Sequence, residues 1–480
     1  MTLPQAVLSV LSLMTWPVTL CAQLSVERQA LLSDGLPVVE VTTINGEEPA
    51  AEPIEPPEGC WGASITNATK VPGRICIWQP DGTIAYDSGP FLDGESGMTI
   101  KIRGNWSGRS TKKPYKIKLQ KKADLLCRNN LRFEDKNWLL LREQATSFNT
   151  PIGFKMTQLI GMPWTPALAQ VYLIVNGDFR GLYMLCEAVE RNANCRIKVN
   201  KQTGYIIEYN AYWWKEDLFF QGTFSDTHLR YTFKYPDDED VTPSQLAYIT
   251  EATQKMENAI DEGIYPDIID VHNFASWRLA NDILGTSDAA GSNIYLAKYD
   301  DTINSPFFMP TLWDFDTIEK RTGQWASIRV TKEHYFRHLF YSVNKQFAQT
   351  YVNLWQQQGE NLIQSLRQWL KDFIESPIAQ SLNRARLRDT QRWSHLSYHP
   401  VEEDIATADH WFSERILWLD SAVATLDTTS ISAAIAHVQE RTHFHSSPST
   451  IYDLYGRRLS TPPSKDLFII GKRKFFVKKH

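Results

Sequence analysis

In the first half of the chain, apolar and polar positions alternate in short runs broken by Gly, Pro and Asp. Residues 36–43 ("LPVVEVTT"), 74–78, 98–103 and 115–119 read as strands, with "PDG" and "LDG" supplying turns between them. Residues 171–175 and 181–185 flank Asn176-Gly177, a pair that accepts the positive φ angles of a two-residue hairpin turn. Residues 205–209 ("YIIEY") add one more strand. Between these runs, "PIGFKMTQLIGMP" switches to helical spacing and ends in a Gly-Met-Pro stop. From about residue 244 the period is mostly helical: "PSQLAYITEATQKMENAI", "VHNFASWRLANDIL", a long run from His334 to Ile374, and "ADHWFSERILWLDSAVATL". Strands in front and helices behind predict a two-lobed α+β architecture.

The ends of the chain break this pattern. An apolar stretch from Ala6 to Cys21 stops at Ala22-Gln23, so residues 1–22 are expected to be a signal peptide. No Lys or Arg precedes the stretch; an ordinary N-terminal helix is the alternative, and lipidation at Cys21 meets a large Leu20 where a small residue is expected. No other segment reaches the roughly eighteen apolar residues that span a bilayer. Residues 46–59 ("GEEPAAEPIEPPEG") lack periodicity and read as an extended loop. The expected organisation is a main domain over 30–425, a linker over 426–447 and a small C-terminal module over 448–480, where two short strand patterns precede a basic end.

Composition narrows the function classes. With 42% hydrophobic residues and 16 tryptophans in 480 residues, the chain has the apolar surface of a packed protein. A net charge of −5 argues against nucleic-acid binding by nonspecific phosphate attraction. Beyond Cys21, five cysteines remain; Cys60 with Cys76, or Cys186 with Cys195, could bridge in an exported protein, and none has zinc-ligand spacing.

The candidate chemistry lies in two polar segments. "GTSDAAGSNIYL" holds Asp288 and Asn293 as D-x4-N, and "WDFD" follows with Asp314 and Asp316. Phosphoryl transfer needs a group that orients the attacking hydroxyl, oxygen ligands for Mg2+ and cations near the phosphates. D-x4-N followed by D-F-x has the order and spacing of a kinase catalytic loop and its metal-binding aspartate. The plain alternative is helix and turn capping, which Asp and Asn commonly perform. Upstream, Lys116 and Lys118 alternate along one strand and share a face.

Taken with "IRGNWSGRSTKKPYKIKL", "DKNWLLL", "IGMPWTP", "VYLIVNGDFRGLYMLCEAV" and "GYIIEYN", these segments resemble the CotH kinase family, the spore coat protein H-like atypical kinases. The resemblance is close over about residues 36–320 and looser to about 425. It implies a divergent protein-kinase-like fold that uses ATP and Mg2+ to phosphorylate Ser or Thr of a partner protein, on the cell surface or in an extracellular assembly. By the same resemblance Asp288 is the catalytic aspartate, Asn293 and Asp314 are metal ligands, and Asp316 is a second candidate. Arg103 and Lys113 take the family's basic positions near phosphates, and Lys116 or Lys118 could serve as the strand lysine. Glu187 fits the family's Glu, pairing with that lysine or lying near the nucleotide. Gln144, Asn149, Thr150 and the order of residues in "GNWSGRST" depart from the family pattern on the phosphate side. The alternatives are a non-catalytic adhesin or scaffold and, ranked last, a metal-dependent hydrolase. The tail, "IYDLYGRRL" with "DLFIIGKRKFFVKK", is similar to the C-terminal sorting signal of type IX secretion, which implies export.

Overall fold

The computed structural model describes residues 26–66, 69–142, 148–224, 229–286, 289, 293–316, 318 and 334–429, together with 451–453, 458–459, 466–470 and 473–477. The expected signal peptide, residues 430–447 of the expected linker, Gln144 and Asp288 lie outside the described residues. Contacts divide the chain into two units, residues 1–428 and 429–480.

The first unit opens with α1 (Val26–Leu32) and β1 (Val38–Thr43). A two-residue ladder, β2 (Pro53–Ile54) with β3 (Ser64–Ile65), interrupts the stretch expected to be an extended loop. Then come β4 (Val71–Trp78), β5 (Ile84–Asp87), β6 (Met98–Ile102), β7 (Tyr115–Ala123), β8 (Asp135–Arg142), α2 (Asn149–Leu159), β9 (Leu168–Val175) and β10 (Asp178–Glu187). Because β1 pairs antiparallel with β4 and parallel with β9, the seven strands β1-β9-β10-β8-β7-β6-β4 close into a barrel, with β5 alongside β4.

Alternation along each strand decides what fills the barrel. Val39, Val41, Ile100, Ile117, Leu140 and Leu185 pack inside it. Their neighbours Val38, Leu139, Tyr172, Leu182 and Cys186 point outward into the large core shared with the helices. At the β9–β10 hairpin, Asn176 (φ 53) and Gly177 (φ 78) adopt the left-handed conformation the turn demands.

A second, antiparallel sheet follows, built from β11 (Tyr205–Asn210), β12 (Phe219–Phe220), β13 (Arg230–Tyr235), β14 (Ile294–Lys298) and β15 (Phe307–Phe308) in the order β12-β13-β11-β14-β15. Between β13 and β14 lie α3 (Pro243–Glu262) and α4 (Val271–Leu284). Thr242 starts α3 with a reciprocal capping box to Gln245, and Gly263 ends it at φ 76. The helical run expected from His334 to Ile374 is divided into α5 (His334–Tyr341), α6 (Gln346–Leu354) and α7 (Glu360–Glu375). The first break is a turn at Asn344, whose side chain accepts from the amide of Gln346 (3.0 Å) just ahead of the new helix. A π turn over Trp355–Gly359 marks the second. Two further helices, α8 (Pro377–Arg392) and α9 (Val401–Val423), complete the unit.

None of Cys60, Cys76, Cys127, Cys186 and Cys195 forms a disulfide. Cys76 and Cys186 are buried in the core outside the barrel, while Cys60 and Cys195 are half-exposed, so neither bridge considered from the sequence is made. In the second unit, β16 (Ile451–Asp453), β17 (Arg458–Leu459), β18 (Asp466–Ile470) and β19 (Arg473–Val477) pair in the antiparallel order β17-β16-β18-β19. No described helix is long and apolar enough to cross a membrane.

Candidate active site in the interlobe cleft

A cleft of about 480 Å3 runs between the barrel and the second sheet. Strand alternation selects its roof. With Ile100, Ile102, Ile117, Leu140 and Leu185 turned into the barrel, the outward neighbours Lys101, Arg103, Lys116, Leu141 and Met184 line the cleft. The floor is the face of the second sheet that carries Glu208, Asn210 and Tyr295. Lys234 joins them by alternation, two residues on from Thr232, which pairs with Glu208, and it is the extra residue of a bulge where Ile206 pairs with Tyr235 and Ile207 with Phe233. Its Nζ lies 2.7 Å from Glu208 Oε2.

Asn293 and Asp314 reach the floor on loops and share an uncommon backbone state. Both are left-handed, with φ 58 and φ 65. Asn and Asp tolerate this region better than other non-glycine residues, and such positions cluster at functional sites. The chain after Asp314 is held by Phe315, which is buried and meets Phe154 of α2 edge-on at 5.6 Å. Gly153 makes room for that ring, since a Cβ built there would overlap it. Gly153→Ala should therefore cost about 1–3 kcal/mol by overpacking, read as a lowered urea midpoint. Asp316 also lines the cleft, and beyond it Ile318 bridges to Thr286, the last described residue before Asp288.

Of the residues expected at the site, Arg103, Asn293, Asp314 and Asp316 line this one cleft. Lys116 does so as well, and its Nζ lies 2.9 Å from Glu190. Lys113, Lys118 and Glu187 do not line it. The Lys113 ammonium donates to the Gly108 carbonyl at 2.9 Å and so ties the "GNWSGRST" loop to the start of β7. Lys118 shares the outward face of Lys116 but lies further along the strand, exposed to solvent. Glu187 falls on the other parity of β10 from Met184. It is 2% exposed, accepts from Arg128 (2.9 Å) and from the Ala167 amide (3.0 Å), and has a structural role. The carboxylate beside the strand lysine is Glu190, held in turn by Asn137 at 2.7 Å.

Sequence reasoning overlooked Glu208 and Lys234, although Glu208 is the one charge in "YIIEYN" and Lys234 follows the apolar run "YTF" in "RYTFKY". It also passed over Lys101, Lys215 and the mouth aromatics Trp61, Trp106 and Tyr212, which carry no spacing signal. Of the three positions after β8 that depart from the pattern of the resemblance, Thr150 lines the cleft, Asn149 is buried beside it and Gln144 lies outside the described residues.

Six cations (Lys101, Arg103, Lys116, Arg142, Lys215, Lys234) and four carboxylates (Glu208, Glu216, Asp314, Asp316) line the cleft, in a chain of net charge −5. The cleft is thus locally cationic. Burial opposes the charge on Lys234, but Glu208 and Glu216 outweigh it and raise its pKa. Burial lowers the pKa of Lys215, as do Lys101 and Lys234. The Tyr295 hydroxyl is pushed far above its ordinary value by burial and by Glu208.

Just outside, burial and the charge of Glu216 raise Asp238 to about 6. A carboxylate with a raised folded-state pKa binds its proton more readily folded than unfolded. Its penalty on stability is therefore present above pH 6 and relieved as pH falls from 6 towards 4. Asp238→Asn should stabilise the protein at pH 7.5 by on the order of 1 kcal/mol after solvent screening, with no gain at pH 4, as read by urea unfolding at both values.

A β-barrel facing a mostly helical lobe across a cleft, with an Asn and two Asp on its floor and cations in its roof, defines a two-lobed, kinase-like α+β protein. The chain matches the family model described as CotH kinase protein over residues 100–409, more than half its length, and belongs to that family. No curated protein matches it.

Proposed function

We propose that the protein is an ATP-dependent kinase that transfers the γ-phosphate to Ser or Thr of a partner protein outside the cytoplasm. The observation that carries this reading is the shared cleft of Asn293, Asp314 and Asp316 below Arg103 and Lys116. An amide oxygen and two carboxylates are hard donors that suit Mg2+, which binds through one or two carboxylates plus substrate phosphates rather than an all-protein cage. Asn293 and Asp314 would hold the ion, with Asp316 as a second carboxylate. When bound, Mg2+ supplies charge neutralisation at the phosphate oxygens.

The chain's own residues supply the rest. Arg103 and Lys116 position the phosphates, with Glu190 holding the lysine in place. The first turn of α2 opens on the cleft at Thr150, where helix N-terminal amides favour an anion. Asp288 accepts the acceptor hydroxyl proton as that oxygen bonds to the γ-phosphorus and the bond from the γ-phosphorus to the β–γ bridging oxygen breaks, releasing ADP. Export is supported by the apolar run of residues 6–21 and by the sorting-signal-like tail.

Phosphate transfer from γ-labelled ATP to a panel of Ser- and Thr-containing proteins tests the reading. The parent should label an acceptor or itself, and Asp288→Ala should lower the rate at least about a hundredfold, the usual range for a general base. Equal labelling by both chains would remove Asp288 from the mechanism, and no labelling by either would leave the family fold without this activity.

A further inference from the structure

The outer face of the barrel carries a row of lysines, of which only Lys116 has been given a part in the phosphate site. Val71 of β4 pairs with Ile100 of β6, which brings Lys70 beside Lys101, and Lys101 pairs with Lys116 of β7. Like charges directly opposite across strands are destabilising. Strands β6 and β7 nevertheless place lysines opposite each other, with Lys70 just before β4, and Lys118 extends the same face two residues further. Burial, then Lys116 and Lys70, depress the pKa of Lys101, while Glu216 favours its charge.

Within the row Lys116 has Glu190 as its counter-ion, and Lys215 across the cleft donates to Asn105 at 2.9 Å. Among the described residues Lys101 has no ion pair within salt-bridge distance, and Lys70 and Lys118 are exposed. Two indoles flank the same mouth, Trp61 at 58% and Trp106 at 70% exposure. A basic, aromatic-edged strip that runs from open surface into a cleft, on a chain of net charge −5, calls for an anionic ligand.

We propose that this strip docks the phosphate acceptor, and that the acceptor is an acidic, extended polypeptide segment. Its carboxylates meet Lys70, Lys101 and Lys118, its remaining side chains lie against Trp61 and Trp106, and its Ser or Thr enters beside Asp314. Strands about 4.8 Å apart set the lysine spacing, and alternate side chains of an extended peptide recur about every 7 Å, a difference long lysine stems absorb. Nucleic acid fits less well, because its affinity depends on many phosphate contacts over a broad basic surface. The acceptor role rests on the kinase reading, whereas docking itself is measurable without turnover.

The test is fluorescence anisotropy of the full chain, without nucleotide, against a labelled alternating Glu/Ser peptide, its Lys/Ser counterpart and a single-stranded oligonucleotide of similar length. The Glu/Ser peptide should bind, weaken with added salt, and lose at least about tenfold in affinity to the Lys70→Glu, Lys118→Glu double variant, a change of about 1.4 kcal/mol. The unfolding midpoint of that variant should match the parent. Equal binding of the Lys/Ser peptide, unchanged binding by the variant, tighter binding of the oligonucleotide or no binding of the Glu/Ser peptide would each overturn the inference. Docking without any phosphate transfer would keep the inference and remove the kinase reading. Transfer to proteins without docking would do the reverse.

Discussion

Asp314→Asn should lower phosphate transfer by at least about a thousandfold while leaving the fold unchanged. The substitution removes one negative charge from a floor where Asn293 and Asp316 are the neighbouring oxygen donors. Charge stabilisation and positioning supply most of the acceleration in phosphoryl transfer, so loss of a metal carboxylate acts on the transition state directly. Asn is the conservative choice because the residue sits at φ 65, where Ala would strain the backbone and mix a folding defect into the result. Phe315 still anchors the segment. Transfer rates and urea unfolding of both chains check the expectation together. A full rate in the variant would take Asp314 out of the proposed metal site.

Asp389→Ala should destabilise the first unit by about 3–5 kcal/mol. Lys112 Nζ and Asp389 Oδ2 are 2.7 Å apart with side chains 3% and 0% exposed, and Asp389 Oδ1 accepts from the Leu182 amide at 2.9 Å. The pair ties the "GNWSGRSTKKPY" segment to α8 behind the barrel. Removing the carboxylate leaves the Lys112 ammonium buried without its counter-ion, and taking a charge out of water uncompensated is expensive. Lys112→Met in the same chain should recover part of the loss, so the double variant should be more stable than the sum of the single effects requires. Urea unfolding across the four chains measures this, and strict additivity would show that the two groups do not interact.

Local patterns carried much of the fold. Alternation located β1, β4, β6 and β7 because one face of each strand fills the barrel, and Asn176-Gly177 located the β9–β10 hairpin because few pairs accept its φ angles. The helical period after His334 runs through its breaks, since periodicity does not reveal a turn held by the Asn344 side chain within it. Barrel closure was not legible at all: it depends on β1 meeting β4 and the much later β9.

For the site, residue types and their order pointed to Asn293, Asp314 and Asp316 through the D-x4-N and D-F-x spacing, while Arg103 came only from the resemblance. Which lysine lines the cleft and which glutamate pairs with it was a matter of position along the chain. Lys116 and Lys118 share a face, yet Lys116 lines the cleft while Lys118 does not. Glu187 and Glu190 lie three apart, yet one is sealed against Arg128 while the other holds Lys116. The sequence by itself thus determined most of the elements and the α+β class, because these follow from short-range periodicity, and it supplied candidate residues for a site. Only the tertiary structure decided which cations share a cleft with the acids, because that depends on strand register and a ring closed by strands far apart in the chain.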